Sequence, residues 1–249
     1  MDDIQVIANK NNLFVVEDCA QAHGARYKGR SVGCIGDIAA WSFCQDKIMT
    51  TAGEGGMVTT NSENLFNKVW SFKDHGKSYD AVFNRQHPVG FRWLHESIGS
   101  NCRLTEIQSA IGLYQLEKLK DWTNRRNVIA NRYREVLSEF DFIRVPPCPD
   151  SIEHAYYRFY AFWQHPSIPR NEFIKQCKES GLLVDQGSCS EVYLEKAFDN
   201  TPYRPKERLP VAKELGETSL MFLVHPTLTE AEIQKTCDVL SEVMQQASK

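Results

Sequence analysis

The sequence predicts an α/β protein whose second half is a smaller α+β unit. Two observations carry this. Helix-like and strand-like stretches alternate over short connections from the first residues to Leu119, the habit of an α/β sheet. The prolines Pro146, Pro147 and Pro149 then mark a boundary, beyond which short strands and helices alternate again.

Residues 3–11 place Ile4, Val6, Ile7 and Ala8 on one side of a helix. Asn11 and Asn12 end it, and LFVVED at 13–18 is a buried-looking strand that finishes on Glu17 and Asp18. A helix that opens such a unit normally has a strand before it. None is present here, so the chain reads as beginning inside a domain. Residues 19–33 are turn-rich, with glycines at 24, 29 and 33 and room for a short helix. Strands follow at 38–43 and 56–60. Asn61-Ser62-Glu63 is an N-cap signal for a helix to Lys73, ended by His75-Gly76.

Residues 77–102 lack periodicity and carry Tyr79, Phe83, His87, Phe91, Trp93 and His95, which marks them as functional or mobile. Thr105 caps a helix to Leu119, and a second helix is predicted from Trp122 to Phe140. The second half offers a strand at 155–163, a helix at 170–180 and a strand at 182–185. A loop with Pro202, Pro205 and Pro210 leads to a short helix at 211–215, a strand at 219–224 and a last helix at 229–246. No internal repeat is present.

Bulk properties narrow the function. Hydrophobic residues make up 42% and charged residues 24%, ordinary for a globular chain of 249 residues. The net charge of -3 gives no basic field for nucleic acid. No apolar run approaches the ~20 residues of a membrane span, and the first residues lack the pattern of a signal peptide. The eight cysteines contain no CxxC pair, which argues against zinc ribbons and redox pairs and predicts free thiols in a reducing cytoplasm.

The stretch from Leu13 to Gly56 concentrates chemistry. An acid at the mouth of one strand, Asp18, and a lysine just past the next, Lys47, can face one crevice. These groups suit pyridoxal phosphate, whose ring nitrogen stays protonated beside a carboxylate. Asp18 would supply that carboxylate where open α/β sheets bind ligands. Ala20 is small enough for the ring to approach, Gln21 can bond its phenolic oxygen, Ser42 can donate to its phosphate, and Lys47 offers the Schiff-base amine. Gly53, Gly55 and Gly56 would let backbone pass close by. Singly, each has a plain structural explanation, since a strand-end aspartate is often a cap and a turn lysine is usually solvated. His23 and His75 read as structural hydrogen-bonding groups. No metal-ligand set stands out.

The run VVEDCAQAHGARYKGRSVGCIGDIAAWSFCQDKIMTTAGEGGMVTT resembles the core of the DegT/DnrJ/StrS family of sugar aminotransferases. The resemblance continues through His75-Gly76, SNCRLTEIQSAIGLYQLEKL at 100–119 and VHPTLTEAEI at 224–233, and covers essentially the whole chain. It implies the C-terminal part of a fold-type I aminotransferase large domain, residues 1–122, plus a small α+β domain, residues 123–249. It implies Lys47 as the Schiff-base lysine, Asp18 as partner of the pyridine nitrogen, Gln21 of the phenolic oxygen and Ser42 of the phosphate. Asn101 matches an asparagine that reaches the cofactor phosphate of the neighbouring subunit, which implies a homodimer with sites at the interface.

The implied reaction is amino transfer, usually from glutamate, to a keto group on a nucleotide-linked sugar, in the cytoplasm. Relatives that dehydrate such sugars instead carry histidine at the lysine position, so Lys47 points to transamination. Full-length relatives carry further strands, a phosphate-binding turn and a ring-stacking aromatic before the segment matching Met1. The expectation is therefore a fragment, a truncated reading frame or one half of a split enzyme, binding the cofactor weakly if at all when alone. The alternative is a non-catalytic partner or regulator of the same fold.

Overall fold

The computed structural model describes residues 1–90 and 92–248. Phe91, counted above among the loop aromatics, lies outside the described residues. The chain divides into two compact units, Met1–Thr123 with Pro149–Tyr157, and Asn124–Cys148 with Arg158–Lys249.

In the first unit, helix α1 (Asp2–Lys10) leads to strand β1 (Val16–Asp18). Both fall short of expectation in what they bury. Only Ala8 of α1 is buried, while Ile4, Val6 and Ile7 are exposed, as are Leu13 and Phe14 ahead of the strand. The turn-rich stretch is a hairpin rather than a short helix. Strands β2 (Arg26–Tyr27) and β3 (Arg30–Ser31) pair antiparallel. Lys28 and Gly29 both take positive φ, 49° and 74°, as a two-residue primed turn requires.

Strand β4 (Ile38–Ser42) lies parallel to β1, with Glu17 opposite Ala39 and Asp18 opposite Ala40. Strand β5 (Gly56–Thr59) joins β4 antiparallel and places Gly56 opposite Ser42. Helix α2 (Glu63–Lys73) starts as its sequence predicts, with the Ser62 side chain accepting from the Leu65 amide. The stretch after it contains helix α3 (Tyr79–Phe83), whose Tyr79 and Phe83 rings pack on Trp70 of α2.

One 32-residue helix, α4 (Glu106–Leu137), replaces the two helices expected at 105–119 and 122–140. No proline interrupts it. The Thr123 hydroxyl folds back onto the Leu119 carbonyl at 2.6 Å, so it joins the helix ladder and does not break it.

The second unit is an antiparallel sheet in the order β6 (Ile143–Arg144), β8 (Phe159–Trp163), β10 (Ser219–Phe222), β9 (Val184–Asp185). The short β7 (Ile152–Glu153) belongs to the first unit, where it pairs with β2. Along β8 the residues Phe159, Ala161 and Trp163 are buried in strict alternation. Helices α5 (Arg170–Glu179), α6 (Pro210–Thr218) and α7 (Glu230–Ala247) complete the unit, with Ile233, Leu240 and Met244 of α7 fully buried. A capping box between Thr229 and Glu232 starts α7. No helix among the described residues is long and apolar enough to cross a membrane.

Glu17 fixes the connection between β1 and β4. Its buried carboxylate accepts from the amides of Gly33 and Ile35 at 2.8 Å each and of Gly36 at 2.6 Å. Gly33 also has φ +80°, and a Cβ there would lie 2.3 Å from the Trp41 ring. Glu17→Ala leaves these amides without their acceptor and is expected to cost about 3 kcal/mol in urea unfolding, with Glu17→Gln closer to wild type. An unchanged midpoint for Glu17→Ala would show that the loop is held in another way.

Candidate active site

Strand alternation decides which side chains of β1 and β4 share a face. Glu17 and Ala39 are a register pair and both are buried. Asp18 and Ala40, the next pair, are both exposed on the opposite face, and Ser42 lies two residues beyond Ala40 on that same face. Because the strands run parallel, Asp18 and Ser42 stand at the C-terminal edge of the sheet, where ligands of open α/β sheets bind. Gly56, opposite Ser42, leaves this corner without a side chain.

The turn after β1 keeps the same edge polar. Asp18 Oδ1 accepts from the Ala20 amide at 3.0 Å, which leaves the other carboxylate oxygen toward solvent. Gln21 follows, exposed, and its side chain makes no hydrogen bond among the described residues. The Ser42 hydroxyl receives only a long contact from the Cys44 amide, 3.4 Å, so its own proton is free to donate.

Lys47 sits on the loop that leaves β4. The Lys47 amide donates to the Cys44 carbonyl at 3.1 Å. Helix α4 ties the loop down, with Gln115 Oε1 accepting from the Thr50 amide at 2.9 Å and Gln108 donating to the Glu54 carbonyl at 2.7 Å. The Lys47 side chain is 15% exposed. Its Nζ lies 3.9 Å from Asp46 Oδ1 and 5.2 Å from the centre of the Tyr157 ring, and the Tyr157 hydroxyl donates to Asp46 Oδ2. That hydrogen bond, followed by burial in the opposite sense and then the Lys47 charge, leaves Asp46 more acidic than an ordinary aspartate. Neither Asp46 nor Tyr157 was singled out in the sequence. Asp46 abuts the lysine, but nothing in the sequence points to Tyr157.

His23 lies close to both groups of site residues. It is 3% exposed and packs against Trp41 and Phe43, with ring centres 5.4 and 5.8 Å away. Neither ring nitrogen has a partner of ordinary hydrogen-bond geometry, and the Ser42 backbone interacts with the ring only weakly. Burial pushes its pKa down to about 4, the Ser42 backbone works against that shift, and the Lys47 charge adds to it. His23 is thus a neutral imidazole near both Ser42 and Lys47. Asn101 lies apart from this group. It is exposed, bridges the backbone of Asp74 and accepts from Arg103 at 3.2 Å. No hydrogen bond among the described residues joins it to Asp18, Ser42 or Lys47.

A carboxylate, an amide and a hydroxyl at one sheet edge, with an amine on the adjoining loop, match the donors and acceptors of pyridoxal phosphate. The fold is that of the fold-type I aminotransferases. The chain matches the DegT/DnrJ/EryC1/StrS aminotransferase family over residues 1–241, and it belongs to that family. Members of the family depend on pyridoxal phosphate.

GDP-perosamine synthase of Escherichia coli O157:H7 is 31% identical over 245 residues, covering 97% of this chain and 61% of that protein. The solved aminotransferase from Psychrobacter cryohalolentis is 52% identical with a TM-score of 0.95, covering all of this chain and 66% of the other. DesV of S. venezuelae, solved in complex with a ketimine intermediate, is 28% identical with a TM-score of 0.84 over 100% of this chain and 62% of that one. The chain therefore spans about three fifths of the length of the relatives it matches.

The neutral state of His23 has a pH consequence. Its folded pKa of about 4 lies below the ordinary 6.5. Between these values the unfolded chain takes up a proton that the folded chain refuses, so stability falls as pH drops through that window. The loss reaches about 3 kcal/mol at most near pH 4. His23→Phe, placed among aromatic rings, is expected to flatten this part of the urea-midpoint profile. Parallel profiles for the two proteins would assign the acid sensitivity to other groups.

Proposed function

We propose that the protein transfers an amino group, with glutamate as donor, to a keto group on a nucleotide-linked sugar, using the Asp18–Lys47 region to hold pyridoxal phosphate. The observation that carries this is the placement of Asp18 and Ser42 on one face at the C-terminal edge of β1 and β4, with Lys47 on the loop leaving β4. Membership of a sugar aminotransferase family and likeness to GDP-perosamine synthase support the substrate class.

When bound, the cofactor supplies an aldehyde carbon for amines and a ring that withdraws electrons from the bond to be broken. Asp18 keeps the ring nitrogen protonated through its free carboxylate oxygen. Ala20 presents a methyl group and so leaves space for the ring. Gln21 donates its amide hydrogen to the phenolic oxygen. Ser42 donates its hydroxyl proton to the phosphate, where a bare corner at Gly56 gives access. Lys47 would supply the amine that holds the cofactor, and its Nζ would be the group able to carry a proton beside the reacting carbon. Asn101 is assigned to the phosphate of a second copy in a homodimer whose sites lie at the interface, and the setting is the cytoplasm.

Borohydride trapping tests the assignment, because reduction captures even transient adducts. Incubation with pyridoxal phosphate, reduction and peptide mass spectrometry are expected to find the cofactor on the Lys47 peptide. Lys47→Arg is expected to lose that adduct, and Asp18→Asn to need roughly ten- to a hundredfold more cofactor for equal labelling, the range for losing one charge-assisted hydrogen bond. Labelling spread over surface lysines, with none at Lys47, would favour a non-catalytic protein of the same fold.

A further inference from the structure

We propose that Gln108, Gly112 and Gln115, one face of the first part of α4, are positioning residues that set the place of the Lys47 loop, and so the rate at which Lys47 meets the cofactor. This rests on the reading of Lys47 as the reactive amine. The three residues are spaced four and three apart, so they share one side of the helix. They belong to the run SNCRLTEIQSAIGLYQLEKL, of which Asn101 alone has a role in the proposed chemistry.

The loop from Phe43 to Gly56 is closed on itself. The Phe43 carbonyl accepts from the Thr50 hydroxyl at 2.9 Å and from the Thr51 amide at 3.3 Å. The Phe43 amide donates to the Gly55 carbonyl at 2.8 Å, and the Thr51 hydroxyl to the Glu54 carbonyl at 2.9 Å. Lys47 therefore rides on a short arch, residues 44–49, whose two feet meet at Phe43 and Thr50. Ile48 and Met49 in that arch are buried. Bonds within the loop give it a shape, but they do not say where it stands relative to the strand ends that carry Asp18 and Ser42.

Helix α4 supplies that reference. Gln115 Oε1 accepts from the Thr50 amide at 2.9 Å, at the foot of the arch. Gln108 Nε2 donates to the Glu54 carbonyl at 2.7 Å, while its Oε1 accepts from the Thr105 hydroxyl at 2.9 Å and the Thr105 amide at 3.2 Å. Its amide group is thus held at both ends. Between the two glutamines Gly112 is buried, and a Cβ there would stand 2.9 Å from Thr51 Cγ2. Helix and loop approach this closely only because a side chain is missing. A misplacement of ~1 Å can slow a positioned reaction by roughly a hundredfold, and a displaced foot of the arch carries Lys47 with it.

Two measurements on the full chain test this. Hydrogen exchange read by NMR without cofactor follows the Phe43, Lys47 and Thr51 amides, whose own acceptors stay in place in every variant. Gln115→Leu is expected to speed their exchange by roughly three- to tenfold, the range for losing one neutral hydrogen bond. Gly112→Ala acts in the same direction, and Gln115→Glu, which keeps an acceptor oxygen, stays near wild type. The Gly33, Ile35 and Gly36 amides held by Glu17 are the reference in the same unit and are expected not to change. Unchanged exchange at the three loop amides, or an equal rise at the reference amides, would overturn the proposal. The second measurement is the rate of borohydride capture of pyridoxal phosphate at Lys47 against cofactor concentration. In Gln115→Leu the saturating rate is expected to fall by roughly three- to tenfold, with the half-saturating concentration within about twofold of wild type, because Asp18, Gln21 and Ser42 are untouched. Gln115→Glu is expected to restore the rate. An unchanged saturating rate with a raised half-saturating concentration overturns the positioning of the lysine. Absence of capture at Lys47 in the wild-type chain would sink the assignment of the reactive amine, while the exchange rates would still decide whether this face of α4 places the loop.

Discussion

The buried carboxylate of Glu17 is the interaction on which the candidate site depends. By accepting from the loop amides of Gly33, Ile35 and Gly36 it anchors the return of the chain from β1 to β4. A carboxylate has enough lone pairs for this and needs no counter-charge when the donors are backbone dipoles. Because Glu17 turns inward, its neighbour Asp18 must turn outward. Because β1 and β4 are parallel and in register, Ser42 joins Asp18 on the outer face. A slip of one residue would exchange the roles of the two acids and bury Asp18 in place of Glu17.

Much of this was legible in the sequence, and the failures have physical causes. The β4 and β5 strands, the Ser62 cap and the α7 start follow from local propensity and local hydrogen bonds, which a sequence displays directly. The hairpin at Lys28-Gly29 is weakly signalled in the sequence because a lysine in the left-handed region is a poorer turn marker than asparagine or aspartate. The break between Leu119 and Trp122 was not real, since Thr123 satisfies its hydroxyl within the helix. The apolar side chains of α1 show the opposite failure. Their periodicity gave the correct element, but the described residues do not cover them.

The candidate site is legible by residue type and illegible by environment. Asp18, Gln21, Ser42 and Lys47 carry functional groups whose chemistry is plain from the letters. Their setting depends on contacts between distant parts of the chain. Nothing local reveals that His23 would pack buried against the Trp41 and Phe43 rings, or that Tyr157 would meet Asp46. The protonation states follow from those contacts, which is why the charge balance of the site emerges only from the folded chain.

The contact between Tyr157 and Asp46 joins residues 111 positions apart. The chain leaves the first unit after Thr123 and re-enters it at Pro149 before reaching Tyr157. Closing so long a loop is entropically slow compared with forming β4, its following turn or a helix. Lys47 therefore exists, on a largely formed strand and loop, before its surroundings do. During synthesis the lysine would emerge as an ordinary solvated amine and acquire its partners only after the whole of α4 and the segment beyond it had been made. The arrival of Tyr157, and not the appearance of Lys47, would mark the moment at which this locus acquires its folded surroundings.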